Sequence, residues 1–173
     1  MLIRKTLAMA AATAGLIGAG MLTGASAASA SVLPPEGSGG VVQFWNKHTG
    51  LCLEIADWRT DNGAPARQWY CTGGANQKWY ETTNSAGRHT YVNVNSGKCL
   101  EIADWRTDND APARQWDCTG GANQSWSFTN SPEGLLQNYN SDRCLTIWDY
   151  GLGVNASQYD CNSGYTQETW HRE

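Results

Sequence analysis

One stretch of this chain occurs twice, and this repetition limits the possible folds more than any other property. Residues 52–79 and 99–126 align without a gap over 28 positions, of which 25 are identical. The differences are Gly63/Asp110, Tyr70/Asp117 and Lys78/Ser125. A divergent third copy, residues 144–170, keeps both cysteines and the Cys-Leu-x-Ile start. The sequence therefore predicts three copies of one structural unit.

The repeated blocks have the pattern of short strands and turns. Side chains alternate with a period of two residues at 42–45, 91–95 and 99–102, and no window has a convincing helical period. Leu53 and Ile55 then share one face of a strand, so Glu54 lies on the other. The second copy repeats this arrangement at Leu100, Ile102 and Glu101. We expect an all-β fold in which both glutamates point away from the core.

The first 40 residues have a different composition. Arg4 and Lys5 precede an apolar run and small-residue cleavage sites at 25–27 or 28–30, a pattern typical of a signal peptide over residues 1–30. A membrane anchor is the less favoured alternative, because the run is rich in Ala and Gly and ends in Ala-x-Ala. Residues 31–40, rich in Pro, Gly and Ser, are predicted to be a flexible lead-in.

The charge of the chain excludes some partners. The formal net charge is −4, and removal of Arg4 and Lys5 leaves 10 Lys and Arg against 16 Asp and Glu, a net charge of −6. An acidic chain without a basic cluster is not expected to bind nucleic acid or anionic lipid. No stretch after the signal peptide is long and apolar enough for membrane insertion. We therefore expect a secreted, extracellular protein.

Six cysteines in an exported chain predict a disulfide framework, and six thiols allow fifteen connectivities. Pairing within each repeat is the pattern consistent with self-contained units. Metal binding is the weaker alternative, because the chain has no Cys-x-x-Cys and only three histidines. No metal or other cofactor is predicted. The predicted disulfides are Cys52 with Cys71, Cys99 with Cys118, and Cys144 with Cys161.

The repeats resemble a known family. Three units that combine Cys-Leu-x-Ile, an aromatic-x-Cys and a closing Gln-x-Trp are similar to the ricin B-type lectins. The chain resembles a standalone secreted module, similar to the carbohydrate-binding trefoil domains of bacterial glycosidases. Gln77-Lys78-Trp79 and Gln124-Ser125-Trp126 carry the motif, whereas Gln167-Glu168-Thr169-Trp170 is one residue longer. The resemblance implies a β-trefoil over residues 41–173, with units at about 41–86, 87–130 and 131–173. We expect a single module that is a monomer.

The same resemblance implies a carbohydrate site in each of the first two units. A sugar ring needs an exposed aromatic plane together with a carboxylate and amides that bind its hydroxyl groups. An aspartate at a fixed offset from each first cysteine is either a further sugar ligand or the cap of a turn. The predicted set is Glu54, Asp57, Arg67, Trp69, Asn76 and Gln77 in unit one, and Glu101, Asp104, Arg114, Trp116, Asn123 and Gln124 in unit two.

Two substitutions leave the ligand open. Glu54 stands where galactose-binding members carry Asp, and Arg67 stands where they carry Gln, with the same changes in unit two. Arg67 could contact an anionic sugar, or it could form an internal pair with Glu54 that fills the pocket. In unit three, Thr146, Ser157 and Thr166 replace the acid, the Arg and the Asn, and Tyr159 remains. We predict that this third site is weak or inactive.

Two other functional classes fit the sequence less well than carbohydrate binding. A glycosidase needs one asymmetric carboxylate pair, whereas Asp57 and Asp61 recur in the second copy. The chain has no plausible Ser/His/Asp or Cys/His set, so we predict no enzymatic activity. The alternative function is a protein-binding or hydrolase-inhibitor trefoil without a sugar site. A duplicated surface favours a repetitive ligand such as a glycan or polysaccharide.

Overall fold

The computed structural model describes residues 34–173, so the predicted signal peptide lies outside the described residues. It contains twelve strands joined by turns and short 3-10 helices. Unit one contributes β1 (Ser38–Asn46), β2 (Cys52–Ile55), β3 (Ala66–Trp69) and β4 (Lys78–Thr83). Unit two contributes β5 (His89–Asn93), β6 (Cys99–Ile102), β7 (Ala113–Trp116) and β8 (Trp126–Phe128). Unit three contributes β9 (Glu133–Asn138), β10 (Cys144–Thr146), β11 (Ser157–Tyr159) and β12 (Thr169–Arg172).

The first and last strands of the three units close into a ring. β1 pairs with β4, β4 with β5, β5 with β8, β8 with β9, β9 with β12, and β12 with β1. Each unit adds a hairpin, β2–β3, β6–β7 or β10–β11, that pairs with its own first strand. A closed ring has no free sheet edges. The fold is the expected all-β trefoil with pseudo-threefold symmetry.

The core is built from the positions that the repeats share. The aromatic residues that close the units, Trp79, Trp126 and Trp170, are fully buried. Their rings belong to one hydrophobic cluster with the buried residues of the hairpins, where burial of one large side chain stabilises by about 2 kcal/mol. The Leu and Ile of every Cys-Leu-x-Ile are also fully buried: Leu53, Ile55, Leu100, Ile102, Leu145 and Ile147.

One buried glutamine per unit joins that unit to a neighbour. Gln68 on β3 donates its amide to the carbonyls of Asp149 and Gly151 in unit three, at 2.7 and 2.6 Å. Gln115 and Gln158 make the equivalent bonds to the loops of units one and two. Because the three glutamines are fully buried, their amide groups need partners within the protein, and these bonds tie each hairpin to a loop of another unit.

The cysteines pair as the repeats predict, whereas the first strand begins earlier than expected. The three predicted disulfides are confirmed, and no cysteine is free. β1, however, begins at Ser38, inside the predicted lead-in, because Ser38 and Gly40 pair with Thr82 and Glu81 on β4. Within residues 34–173, no helix has the length and apolar character required to cross a membrane.

Candidate functional site

The predicted site of unit one lies on the hairpin β2–β3. Glu54 and Arg67 are directly opposite each other across the two strands, a position at which side chains of opposite charge interact. The Arg67 Nε donates to Glu54 Oε1 at 3.0 Å. Glu54 is on the strand face opposite Leu53, as the period-two pattern predicts, but only 4% of it is exposed. The internal pair that was one of the two alternatives is therefore present.

The second carboxylate oxygen of Glu54 is also occupied. Oε2 accepts hydrogen bonds from the amides of Asn76 and Gln77, both at 3.1 Å. Gln77 in turn accepts from the Thr72 backbone N–H at 2.8 Å and donates to the Tyr70 carbonyl at 2.7 Å. Gln77 thus satisfies the turn before Trp79 and orients the glutamate, since a carboxylate with several donors has few orientations left.

Asp57 lies at the mouth of the same pocket. Its Oδ1 accepts from Arg67 Nη2 at 2.8 Å, while 71% of the side chain is exposed. Arg67 therefore bridges a buried carboxylate and an exposed one. Asp61, the other carboxylate considered for a catalytic pair, is bound by Arg59, and this hydrogen bond lowers its pKa. Asp57 thus presents an acceptor oxygen toward the pocket, whereas Asp61 is engaged in a separate surface pair.

The turn that carries Asp57 is strained. Asp57 has φ 53° and ψ 30°, and the next residue, Trp58, has φ 56°. The left-handed region disfavours a bulky side chain, and each such residue costs about 1 to 3 kcal/mol. The second unit repeats the strain, with φ of 55° at Asp104 and 56° at Trp105. Such strain persists only where the surrounding structure holds it, and it is concentrated at functional sites.

Trp69 forms one wall of the pocket, but its ring is not free. The Arg67 guanidinium carbon lies 4.8 Å from the centroid of the Trp69 ring. A Cβ built on Gly153, in the loop of unit three, would lie 3.5 Å from the edge of the same ring. Trp69 is consequently packed between Arg67 of its own strand and the loop of unit three, and the cation–π contact also stabilises Arg67.

The resulting cavity has a volume of about 220 Å³. It is open to solvent and lined by both polar and aromatic groups, so it suits a small polar ligand better than a large apolar one. Two carboxylates and one guanidinium give its lining a net negative charge. The residues around it are Glu54, Asp57, Trp58, Arg67, Trp69, Thr72 and Asn76.

Unit two forms the same cavity, with a volume of about 230 Å³. Arg114 donates to Glu101 at 2.9 Å and to Asp104 at 2.9 Å. The Glu101 carboxylate accepts from Asn123 and Gln124, and Arg114 lies 4.4 Å over the Trp116 ring. The twelve predicted residues thus form two groups of six, one in unit one and one in unit two. The lining is Glu101, Asp104, Trp105, Arg114, Trp116, Thr119 and Asn123.

Sequence reasoning left two pairs of lining residues out of the predicted set. Trp58 and Trp105 form the second aromatic wall of each cavity, and Thr72 and Thr119 add a hydroxyl group. The repeated Asp-Trp pair was visible in the sequence. The left-handed backbone that turns the tryptophan toward the cavity was not, because neither Asp nor Trp indicates it.

Unit three keeps the backbone and loses the charges. Thr146 and Ser157 face each other in the register that Glu54 and Arg67 occupy. The prediction that Thr166 stands at the Asn76 position was wrong, because the extra residue precedes the 3-10 turn. Gln167 takes that position, and its carbonyl accepts from Asn46 as that of Asn76 does from Asn93.

The aspartate and the aromatic residues of unit three also have contacts that differ from those in units one and two. The Asp149 Oδ1 accepts from the Gly151 N–H, so here the aspartate caps a turn, whereas Asp57 is bound to Arg67. Trp148 packs edge-on against Tyr159 and Tyr165, with centroids 5.0 and 6.0 Å apart. Among residues 34–173 no group of His, Cys, Asp and Glu side chains is placed to hold a metal ion.

Comparison with known proteins places the chain in a family. The profile of the ricin-type beta-trefoil lectin domain matches residues 40–170. A search of curated protein sequences gave no match.

Solved structures show the same fold. A designed threefold-symmetric protein, ThreeFoil, is 26% identical with a TM-score of 0.73, over 76% of this chain and 96% of its own. An exo-beta-1,3-galactanase from Clostridium thermocellum is 26% identical with a TM-score of 0.74, over 81% of this chain but only 31% of the enzyme. The Macrolepiota procera ricin B-like lectin, solved in complex with lactose, is 15% identical with a TM-score of 0.67, over 79% of this chain and 96% of its own.

Proposed function

Since the chain belongs to the ricin-type β-trefoil lectin family, we propose that it binds neutral glycans without catalysis, through the two cavities of units one and two. Membership of a lectin family supports carbohydrate binding in general. The duplication of one cavity, with the same ion pair, amides and aromatic walls, supports the location. A lectin that binds a polysaccharide gains from repeated sites, because a second contact on the same polymer is effectively intramolecular.

The chemistry of each cavity suits a pyranose ring. The exposed Asp57 carboxylate can accept from a sugar hydroxyl, and the aromatic walls can cover the C–H face of the ring. The Asn76 Oδ1 is buried and has no hydrogen-bond partner among the described residues. A buried acceptor of this kind is usually satisfied by a donor such as a bound hydroxyl or water.

The charge of the cavity favours a neutral ligand over an anionic one. Glu54 and Asp57 already bind the Nε and Nη2 groups of Arg67. An anionic sugar would have to compete with both carboxylates for that guanidinium and would meet their like charge, which costs binding energy. Arg67 is therefore assigned to the internal ion pair, where it orients the two acids.

Removal of one aromatic wall at a time tests the proposal. A single shallow site binds a monosaccharide with a Kd on the order of a millimolar, about −4 kcal/mol. Trp69→Ala and Trp116→Ala should each halve the stoichiometry in calorimetry, and the double change should abolish binding. Either single change should weaken retention on an insoluble polysaccharide by more than half, because avidity requires both sites. The sugar is first chosen with a glycan array.

The controls separate failure of function from failure of folding. Circular dichroism establishes that each variant retains its strands. A folded double variant that binds like the wild type would contradict the site assignment, and an array without a signal would favour a protein partner.

We also propose that the protein is exported and that residues 1–30 are removed. Three disulfides support an oxidising compartment. Intact-mass measurement of secreted material should give a chain that begins between Ala28 and Ser31. Thiol titration of the same material should detect no free cysteine. A mass that includes Arg4, or two or more titratable thiols, would contradict export in this form.

A further inference from the structure

The Trp58 ring lies against Gly74 of its own unit, where the absence of a side chain leaves room for it. A Cβ built on Gly74 would lie 2.9 Å from two atoms of the Trp58 ring. Gly74 has φ −65°, which any residue adopts, so glycine is needed there for room and not for backbone freedom. The same contact recurs at 2.7 and 2.9 Å between Gly121 and Trp105. The edge of the indole ring therefore lies against the turn that precedes Gln-x-Trp, where a side chain larger than that of glycine would displace it.

The exposed surface of that ring faces the cavity. Trp58 lines the cavity and 55% of the residue is exposed. Within residues 34–173, no aromatic ring or cation stacks on the Trp58 ring, whereas the Arg67 guanidinium lies 4.8 Å from the centroid of the Trp69 ring. A sugar ring stacks on an aromatic face that is accessible and rigid. Of the two walls, the Trp58 wall offers the open face.

The strained turn is held by the following unit. The side-chain amide of Asn95, in the turn after β5 of unit two, donates to the Trp58 carbonyl at 3.1 Å. Asn140, in the same place in unit three, donates to the Trp105 carbonyl at 3.1 Å. The Asn95 backbone N–H is itself bound to the Asn93 side chain, which anchors the turn to buried structure. Each clamp therefore acts across a unit boundary.

Unit three has no such arrangement. His48 stands in the equivalent turn of unit one, and its ring packs on that of Tyr150 with centroids 4.1 Å apart. Tyr165, at the N-terminal end of the 3-10 turn, replaces the glycine that Trp58 needs. The left-handed Asp-Trp turn, the clamping asparagine and the glycine are thus present together in units one and two and absent together in unit three.

We propose that Trp58 and Trp105 are the stacking faces of the two cavities, and that Asn95 and Asn140 are positioning residues that hold them there. Each cavity is then completed by a residue of the next unit. The ligand is a neutral pyranose, so the stacking role rests on the proposed function. The positioning role concerns the backbone of the free protein and is measurable without a sugar.

The positioning role is tested by Asn95→Asp and Asn140→Asp. Asp has nearly the shape of Asn but places an acceptor against the tryptophan carbonyl. In heteronuclear NMR of the free protein, the Trp58 indole N–H signal, assigned with Trp58→Phe, should shift or broaden in Asn95→Asp and stay unchanged in Asn140→Asp. The Trp105 signal should respond in the opposite way. An unchanged Trp58 signal in Asn95→Asp would overturn the positioning role.

The stacking role is tested by titration with galactose, glucose and xylose. For any sugar that the wild type binds at two sites, Trp58→Ala and Asn95→Asp should each weaken one site at least tenfold and leave the other intact. Gly74→Ala, which displaces the ring without a change at Asn95, should do the same. His48→Ala is the matched control and should leave both sites unchanged. The melting temperature of each variant identifies any loss of folding.

The outcomes distinguish the two proposals. Two wild-type sites in Trp58→Ala would overturn the stacking role while the proposed function stands. A wild type that binds no sugar on the array would remove the proposed function and the stacking role together. The indole signals would still decide whether Asn95 and Asn140 hold the turns.

Discussion

Units one and two contain a charged cavity, and unit three, on the same backbone, contains a cluster of aromatic side chains. The cross-strand position that holds Glu54 and Arg67 in unit one holds Thr146 and Ser157 in unit three, in an identical register. The buried Leu and Ile of the hairpin and the closing Trp are kept in all three units. The fold therefore depends on the shared core, and the ion pair is dispensable for it.

The difference separates what the trefoil needs from what a ligand needs. Gln68, Gln115 and Gln158 make the same bonds between units, including the unit that lost its cavity. The clamped turns and the glycines beneath the tryptophans are kept only where the cavity is kept. Local strain that recurs only in the two units with a cavity supports the proposed role of these turns at the sites.

The largest expected effect comes from Glu54→Ala. Arg67 would keep only the exposed Asp57 as a carboxylate partner, and Asn76 and Gln77 would lose a shared acceptor. Breaking a buried pair in this way destabilises by about 3 kcal/mol. Thr146→Ala, at the matched position of unit three, should cost about 1 kcal/mol, because its hydroxyl makes one long bond, to the Gln167 carbonyl at 3.5 Å.

Urea denaturation of both variants measures this difference in the free energy of unfolding. Equal losses at the two positions would mean that the ion pair contributes no more than a buried hydroxyl. The ion pair between Glu54 and Arg67 would then not be what stabilises the cavity of unit one.

A smaller effect is expected at Glu168, which takes the place of Gln77 in unit three. Burial raises the pKa of Glu168, and the nearby Asp160 charge adds to the rise. Its Oε2 accepts from the Asn162 N–H at 2.7 Å, while Oε1 is buried without a partner. An ionised carboxylate cannot supply the donor that Gln77 gives to the Tyr70 carbonyl. Glu168→Gln should therefore stabilise the protein by about 1 kcal/mol at pH 7.

The gain from Glu168→Gln should depend on pH with a definite sign. A carboxyl with a raised pKa binds its proton more tightly in the folded state, so the wild type loses stability as pH rises from the ordinary value of 4.5 through the raised pKa. Glu168→Gln removes this loss, so its advantage should grow across that range and then level off. Thermal unfolding of both proteins between pH 4 and 8 measures it, and a constant difference would contradict the raised pKa.

Repetition and the period-two pattern predicted three all-β units, because both can be read directly from the chain, and the resemblance of the motifs to a lectin family implied the trefoil. The disulfides followed from the same repetition. The ion pair between Glu54 and Arg67 was one of two alternatives, since a list of residues does not show which partner a guanidinium chooses. The place of Gln167 was missed because the extra residue could lie on either side of the turn. The second wall at Trp58 depends on a left-handed backbone and on a side chain from another unit, and neither leaves a sequence pattern.

The smallest effect is expected from Tyr159→Ala, at the unit-three position of Trp69. Tyr159 and Trp69 pair with the first cysteine of their units in the same register. Tyr159 packs edge-on against Trp148, with an interplanar angle of 84°. Ser157 supplies no guanidinium beside it, and Thr146 supplies no carboxylate beneath it.

A ring without directional acceptors binds a sugar too weakly to count in calorimetry. The variant should therefore keep two-site stoichiometry for the sugar chosen on the array, while Trp69→Ala in the same experiment loses one site. A third site that disappears with Tyr159 would show that an aromatic cluster alone can bind the glycan, and the division between the charged units and unit three would then be one of affinity and not of function.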